Sequence, residues 1–190
     1  MGEIVVSELD KQILAAIREN VVHFMKHCAA LYAKGPGVLL DIAPQAHEGA
    51  RPFFPDFITV KTLDIDPGSG CDFIADICAH NVHIPAGTFD FVVCTEVFEH
   101  TLNPFNAAAE ILRLLRPAGL LFGSTPFNFR IHGPLPDCWR FTEHGLRALL
   151  RRFEVLELNH LETVGRALMP IHYTFVAKRP ANNSTIKSCG

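Results

Sequence analysis

The apolar positions of this chain follow a strand-like pattern in some segments and a helix-like pattern in others. Several short, nearly continuous apolar runs contain many β-branched residues, which is typical of strands buried on both faces of a parallel sheet. Two later segments alternate between apolar and polar positions, as expected of an antiparallel terminal pair. The predicted strands occupy residues 38–43, 58–64, 71–76, 89–95, 120–125, 153–161 and 172–178.

Three other segments place apolar residues at three- and four-residue steps, which predicts amphipathic helices. The longest runs from Ser7, a candidate N-cap, to about residue 33, and Gly35-Pro36-Gly37 ends it. The others cover about residues 103–115 and 142–152. Helices that alternate with strands predict an α/β fold, a doubly wound and mostly parallel sheet with an antiparallel C-terminal strand.

The chain is interpreted as one domain with two flanking segments. Residues 1–36 carry the N-terminal helix, which is expected to cover one face of the sheet, and residues 37–180 form the α/β domain. Residues 181–190 are polar and are predicted to be a flexible tail. The long N-terminal helix could equally serve as a lid or as a dimer contact, so a homodimer remains an alternative.

Composition excludes several classes of protein. An apolar content of 48% suffices for a sizeable core, and 17 basic against 20 acidic residues leave no basic surface for nucleic acid or an anionic membrane. The six cysteines include no CxxC pair, so neither a disulfide framework nor a zinc site is expected, and no metal site is predicted. Without a signal-peptide pattern or a membrane-length apolar run, the chain is predicted to be cytoplasmic.

Candidate chemistry lies at the carboxyl ends of the predicted strands. Three strands end on carboxylates, at Asp41, Asp64 and Glu96. In open α/β sheets, ligands bind just beyond this edge. Packing or a turn could account for one carboxylate at a strand end, but it accounts less easily for three. This edge of the sheet is therefore the predicted binding site.

The order of these motifs resembles the class I S-adenosylmethionine-dependent methyltransferases, in particular their type 11 group. Residues 38–42 (VLLDI) resemble the first-motif strand, and residues 63–67 (LDIDP) the second, acidic one. Residues 89–105 (FDFVVCTEVFEH, then NPF) resemble the fourth-strand motif, and residues 112–121 (LRLLRPAGLL) the helix-to-strand turn of the fifth. A run from residue 125 to residue 142 looks like a signature of bacterial methyltransferases with unassigned substrates. The resemblance implies a Rossmann-like fold and S-adenosyl-L-methionine as cofactor.

The resemblance also implies which residues meet that cofactor. Asp64 would accept hydrogen bonds from the ribose hydroxyls, with Asp66 as its competitor and an ordinary turn residue as the alternative. Asp41 would lie under the amino acid end or cap the following segment, and Asp76 would meet the adenine or act as a turn aspartate. The implied cofactor-binding residues are Asp41, Ala43, Asp64, Ile65, Asp76, Ile77, Thr95 and Glu96.

The turn after the first strand departs from the family pattern. Residues 43–49 read APQAHEG, with Pro44 where a glycine is expected. Glycine is used there because a Cβ would obstruct the ligand. Either the chain approaches the cofactor differently, or this is a non-catalytic methyltransferase-like binding or scaffold domain.

The residues implied for the acceptor side are His100, His132, Asp137, Trp139 and Arg140. His100 or His132 would be the general base, with Asp137 as its orienter, whereas His100 could instead cap the helix that begins near residue 103. Trp139 and Arg140 would hold the substrate, or else Trp139 anchors the loop while Asp137 pairs with Arg140. The predicted activity is methylation, mainly O-methylation, of a small molecule or glycan. An NAD-dependent oxidoreductase is disfavoured because GxGxxG is absent after the first strand.

Overall fold

The computed structural model describes residues 6–44 and 49–181. Within these residues, three α-helices and seven β-strands follow one another along the chain. The helices are α1 (Glu8–Tyr32), α2 (Pro104–Leu114) and α3 (Glu143–Leu149). The strands are β1 (Gly37–Ile42), β2 (Ile58–Asp64), β3 (Phe73–Ile74), β4 (Phe89–Thr95), β5 (Leu115–Pro126), β6 (Glu154–Leu161) and β7 (His172–Lys178). Short 3₁₀ helices span Arg51–Phe53 and Phe98–His100.

The seven strands form one sheet in the order β3-β2-β1-β4-β5-β7-β6. Strands β1 to β5 run parallel to one another, whereas β7 is antiparallel to both β5 and β6. This agrees with the predicted mostly parallel sheet and its antiparallel C-terminal strand. The strand order reverses between β1 and β4, and a crevice opens at such a reversal because the connecting helices depart to opposite faces.

Each central strand is buried on both faces, as the apolar runs predict. Adjacent residues of β1 and β4 belong to different cores: Leu40 and Val92 face the layer of α2 and α3, whereas Leu39 and Val93 face α1. The α1 layer is also lined by Phe122 of β5. Both cores use consecutive residues of the same strands, so alternation along the strands divides the side chains between two helical layers.

The capping residues explain where the helices begin. The Ser7 side chain accepts a hydrogen bond from the Asp10 backbone N–H at 3.1 Å, and Asn103 does the same for Asn106 at 3.0 Å. Asn103, and not His100, therefore caps α2, so the predicted capping role of His100 is not observed. No helix within residues 6–44 and 49–181 combines the length and apolar character needed to cross a membrane.

Strand β5 begins at Leu115, five residues before the predicted start. Its pairing with β4 jumps from Phe89–Leu115 to Phe91–Leu120, so residues 116–119 bulge out of the ladder. The bulge is held by Arg179, whose backbone exchanges hydrogen bonds with Ala118 and Gly119. The bulge escapes sequence analysis because its partner is about sixty residues away in the chain.

Candidate functional site

A cleft of about 660 Å³ opens at the carboxyl ends of β1 and β4, at the point where the strand order reverses. Helix α1 forms its opposite wall through Ile17, Val21 and Met25. Five of the residues predicted from the sequence line it, namely Asp41, Ala43, Thr95, Glu96 and His132. Its volume lies in the range of small-molecule binding sites.

The backbone is strained where β1 and β4 enter this cleft. Ala43 follows β1 with a φ of 52°, and Glu96 follows β4 with a φ of 56°. Non-glycine residues seldom adopt this left-handed conformation, and it persists only where the surroundings enforce it. Both strands therefore turn sharply beside the cleft, which is a common property of binding sites.

Asp41 holds the segment that closes the first turn. Its carboxylate is 3% exposed, and Oδ2 accepts the backbone N–H of Ala50 at 2.6 Å. Burial raises the pKa of Asp41 to about 6, although the hydrogen bond from Ala50 opposes this. Gly49 has a φ of +55°, and a Cβ there would collide with Asp41 Oδ2 and lie 2.6 Å from Pro44 Cβ. Only a glycine at position 49 therefore allows the backbone to come this close to Asp41. Residues 45–48 of the predicted turn lie outside the described residues.

The ends of β2 and β3 flank the cleft without lining it. Register pairs Ile42 with Leu63, so Asp64 lies level with Ala43 at the same edge of the sheet. Asp64 Oδ1 accepts the backbone N–H of Asp66 at 2.9 Å, and its other oxygen makes no hydrogen bond in the described part of the chain. Ile65 is exposed.

Beyond β3, Asp76 forms a turn. Its Oδ1 accepts the backbone N–H of Cys78 at 2.8 Å, the contact expected of the turn alternative. Asp76 is exposed, whereas the neighbouring Ile77 is buried. The Asp76 carboxylate is therefore also open to solvent near the end of β3.

A buried network beneath the cleft includes two residues that the sequence analysis missed. The carboxylate of Glu96 lies 2.6 Å from His172 Nε2 and accepts the Ser124 hydroxyl at 2.8 Å. The side-chain amide of Asn20 lies 2.8 Å from His172 Nδ1. The network joins α1 to β4, β5 and β7, so Glu96 is held by partners from distant parts of the chain. In the sequence, His172 is only the first residue of a predicted strand, and Asn20 is only a polar residue of the predicted N-terminal helix.

His100 and His132 meet at the mouth of the cleft, where their ring centroids lie 4.8 Å apart. His100 Nδ1 lies 3.0 Å from the carbonyl oxygen of Pro136, and His132 Nδ1 lies 3.0 Å from Asp137 Oδ2. Burial lowers the pKa of His132, although the charge of Asp137 opposes this. Three of the predicted acceptor-side residues are thus brought together, and His132 is the one that lines the cleft.

Asp137 and Arg140 form the ion pair that the sequence analysis gave as an alternative to substrate binding. The two guanidinium nitrogens donate to the two carboxylate oxygens at 2.6 and 2.7 Å. Burial alone would raise the pKa of Asp137, but hydrogen bonds from Arg140 and from the His132 backbone outweigh it and lower the pKa to about 2. Asp137 is therefore a permanent negative charge beside His132.

Trp139 anchors the same loop. Its indole N–H donates to the carbonyl of Thr101 at 2.8 Å, and its ring stacks on Phe141 with centroids 6.1 Å apart. The side chain remains 40% exposed, so one part of the ring is open to solvent. The contacts of Trp139 and Arg140 are those of a structural anchor, and their roles in substrate binding stay predictions.

Glu99 lies behind the two histidines and is fully buried. Burial, and then the charge of Glu96, raise the pKa of Glu99 well above its ordinary value. Its backbone carbonyl accepts the N–H groups of Cys138 and Trp139, so the loop after β5 is tied to the turn after β4. In the sequence, Glu99 belongs to the motif of residues 89–105, but it has no predicted role there.

Comparison with known proteins agrees with this architecture. The methyltransferase domain family matches residues 18–165, most of the chain. No curated protein sequence matches significantly.

Several solved structures superpose on the fold. The [4+2]-cyclase SpnF is 17% identical, with a TM-score of 0.68 over 89% of this chain and 82% of its own. A S-adenosylmethionine-dependent methyltransferase from Methanosarcina mazei is 18% identical, with a TM-score of 0.62 over 80% of this chain and 97% of its own. The 1,6-didemethyltoxoflavin-N1-methyltransferase of Burkholderia thailandensis, solved with S-adenosylhomocysteine, is 18% identical, with a TM-score of 0.60 over 95% of this chain and 93% of its own.

At these identities, the structural likeness establishes the fold. Because the family match covers most of the chain, it establishes the family. The chain therefore belongs to the methyltransferase domain family and has the fold of the class I methyltransferases, whose cofactor is S-adenosylmethionine.

Proposed function

We propose that this protein transfers the methyl group of S-adenosylmethionine to a hydroxyl group of a small molecule or glycan. The observation that carries the proposal is the His132–Asp137 pair at the mouth of the cleft, 3.0 Å apart. A hydroxyl is a weak nucleophile until its proton is removed, whereas a neutral amine needs no base. A histidine whose Nδ1 faces a carbonyl oxygen and a buried carboxylate is suited to take a hydroxyl proton at Nε2.

Two observations support the fit of the cofactor to this edge of the sheet. The absence of a Cβ at Gly49 lets the backbone pack directly against Asp41 and Pro44, which keeps the turn compact beside the cleft. The carboxylate of Asp64 keeps one oxygen without a partner among the described residues, level with the strand end that borders the cleft. Asp64 would hold the ribose, and Asp41, Ala43, Thr95 and Glu96 would surround the methionine end.

The residues of the chain act mainly by positioning. When bound, S-adenosylmethionine supplies an electrophilic methyl carbon with a neutral leaving group, so alignment and exclusion of water are the main requirements. Helix α1 meets the second requirement, because Ile17 and Met25 are almost fully buried where they line the cleft. His132 would accept the proton of the acceptor hydroxyl at Nε2, since the carbonyl oxygen of Arg130, 3.3 Å from Nδ1, and the nearby Asp137 carboxylate keep the hydrogen on Nδ1.

The first experiment is calorimetric titration with S-adenosylmethionine and S-adenosylhomocysteine. Asp64→Ala should weaken binding of both ligands by at least about tenfold, because a hydrogen bond to a charged group contributes roughly 1.5–3 kcal/mol. Asp66→Ala is the matched control, and the reverse ranking would move the ribose role to Asp66. If wild type bound neither ligand, catalysis would be abandoned in favour of a scaffold domain whose Pro44-containing turn does not admit the cofactor.

The second experiment measures formation of S-adenosylhomocysteine with a panel of phenols, sugars and amines of similar size. Turnover is expected with hydroxyl acceptors, and His132→Gln should lower kcat by about 10²–10⁴-fold, the usual contribution of a general base. Turnover of amines alone would overturn O-methylation. Equal rates for wild type and His132→Gln would remove His132 from the mechanism.

A further inference from the structure

A cluster of metal-ligating side chains lies where the turn after β4 meets the loop after β5. Glu99 and His100 belong to the 3₁₀ helix Phe98–His100, and His132 reaches them from the β5 loop. One ligand atom from each of the three side chains lies within 4.8 Å of the others. Side chains of these types often lie this close together without binding an ion. Whether this cluster is a metal site therefore depends on which partners each side chain has.

Glu99 is the first deciding feature. Its side chain is 0% exposed, and neither carboxylate oxygen has a hydrogen-bond partner within residues 6–44 and 49–181. Buried carboxylates are almost always hydrogen-bonded, ion-paired or metal-bound, because an isolated one loses its hydration without compensation. The Nε2 atom of His100 is 3.9 Å from Glu99 Oε1, too far for a hydrogen bond.

The histidines are the second deciding feature. His100 Nδ1 contacts the carbonyl oxygen of Pro136 at 3.0 Å. His132 Nδ1 contacts the carbonyl oxygen of Arg130 at 3.3 Å and lies 3.0 Å from the carboxylate of Asp137. All three neighbours can only accept, so each Nδ1 must carry the hydrogen and each Nε2 has a free lone pair. Metal-binding histidines are typically oriented by a carbonyl or carboxylate on the other ring nitrogen, as these two are.

The charges around the cluster also suit a cation. With Glu99 deprotonated, as a metal ligand must be, Glu99, Asp137 and Glu96 contribute three carboxylates, against one guanidinium from Arg140. That guanidinium is neutralised by its two-pronged contact with Asp137. A divalent ion would thus meet a site with a surplus of negative charge.

We propose that Glu99, His100 and His132 bind a divalent transition-metal ion such as Zn²⁺, Mn²⁺, Fe²⁺ or Co²⁺. Two imidazoles and one carboxylate form a ligand set for these ions, whereas Ca²⁺ takes oxygen ligands only. Ligands about 2.0–2.2 Å from an ion lie roughly 3–3.5 Å apart, so the side chains would contract by about 1 Å on binding. Three protein ligands leave at least one coordination position open.

The site deepens the proposed function, and its catalytic role rests on that function. His132 lines the cleft, so an open position on the ion can face the acceptor. A hydroxyl coordinated there would lose its proton to solvent more readily, because a metal ion lowers the pKa of a bound oxygen. In the metal-loaded protein, His132 Nε2 is then a ligand, and the ion takes over the activation of the hydroxyl.

The test uses the full chain without a polyhistidine tag, stripped with EDTA and dialysed. Calorimetry with Zn²⁺ and visible absorption of Co²⁺ are expected to show one saturable site per chain. Glu99→Gln, His100→Gln and His132→Gln should each lower the affinity by more than the roughly 10–100-fold typical of losing an outer-shell partner. His160→Gln is the matched control, because His160 also contacts a carboxylate, that of Glu162 at 2.8 Å, but lies outside the cluster. Circular dichroism and S-adenosylhomocysteine affinity establish that each variant is folded.

Absence of saturable binding would overturn the site. So would binding that persists unchanged in all three cluster variants, since it would belong to surface histidines. If the protein binds S-adenosylhomocysteine but no metal, the metal site is overturned and the proposed function stands. If it binds metal but neither S-adenosylmethionine nor S-adenosylhomocysteine, the metal site stands and the proposed function is overturned. For active protein, EDTA should slow hydroxyl methylation to the rate that His132 alone supports, and Zn²⁺ or Mn²⁺ should restore the faster rate.

Discussion

At the scale of single residues, the burial of Asp41 at the edge of the sheet makes the stability of the protein depend on pH. It is buried beside the cleft, and its main compensation is one hydrogen bond from Ala50. Burial raises its pKa from 3.8 to about 6, so the folded state binds the Asp41 proton more tightly than the unfolded chain does. Proton binding to Asp41 therefore contributes its full stabilisation below about pH 4, and this contribution is lost as the pH rises through about 6.

Asp41→Asn should remove this pH dependence and keep the acceptor for Ala50. A shift of about two pKa units corresponds to about 3 kcal/mol, so the variant should gain up to about that much over wild type between pH 4 and pH 7. The measurement is the free energy of unfolding by denaturant at several pH values. A difference between variant and wild type that stays constant over this range would contradict the prediction.

Asp72 is the control of opposite sign. A hydrogen bond from Lys61 Nζ at 2.7 Å lowers the pKa of Asp72, so its stabilising effect is present above about pH 4 and is lost as the pH falls. Asp72→Asn should therefore be less stable than wild type at pH 7, and the difference should shrink as the pH falls below about 4. Parallel curves for the two variants would mean that the effects are not electrostatic.

Gly49 should tolerate substitution poorly. In Gly49→Ala, the left-handed φ costs about 1–2 kcal/mol, and the collision with Asp41 and Pro44 adds about 1–3 kcal/mol and displaces the cleft wall. Gly70→Ala is the matched control, since its φ is +72° and no described atom lies within 4 Å of the added Cβ. We expect both variants to lose stability but only Gly49→Ala to lose affinity for S-adenosylhomocysteine. Equal affinities would show that the turn does not shape the cofactor site.

At the scale of elements, α1 serves the core and the cleft together. Phe24, Cys28 and Ala29 pack against Val93 and Phe122 of the sheet, while Asn20 from the same helix contacts His172. The helix is thus attached to the sheet along one apolar stripe and closes the cleft with adjacent residues. Loosening this attachment is expected to affect both folding and ligand binding.

Phe24→Ala tests that attachment. The side chain is 6% exposed, and removing a buried phenylalanine costs about 3–5 kcal/mol because a cavity remains. Leu9→Ala on the same helix is the control, since Leu9 is 64% exposed and its loss should change stability by less than about 0.5 kcal/mol. Denaturant unfolding measures both. A small loss for Phe24→Ala would mean that α1 packs weakly on the sheet.

At the scale of the whole molecule, the two cores enclose two of the thiols, those of Cys28 and Cys94. The five cysteines in the described residues are reduced: Cys28 and Cys94 are buried, Cys71 and Cys78 partly buried, and Cys138 exposed. Burial raises the pKa of the Cys28 and Cys94 thiols, so the reactive thiolate is scarce as well as inaccessible. Their reactivity therefore reports whether the two cores stay closed.

Thiol labelling followed by mass spectrometry checks this in a Cys189→Ser background, because Cys189 lies outside the described residues. Cys138 should be labelled in the native protein, while Cys28 and Cys94 should be labelled only after unfolding. Labelling of Cys94 as fast as Cys138 would show that β4 opens under native conditions. Reductant should leave the unfolding transition unchanged.

Local patterns predicted much of the fold because they are caused locally. Strand β7 begins at His172 and ends at Lys178, as its alternation indicates, and Ser7 and Asn103 cap helices through bonds to residues three positions away. The bulge at residues 116–119 was missed because its stabilising partner, Arg179, is remote.

The sequence by itself determined which residues end the strands, and hence that carboxylates and histidines gather at one edge of a parallel sheet. Periodicity and capping depend on neighbours within a few residues, so they can be read along the chain. Only the tertiary structure decided that Glu96 lies against His172, 76 residues later, and that Glu99 lies buried without a partner beside His100 and His132. Burial and the choice of a polar partner depend on how distant elements pack, and no local pattern encodes that packing.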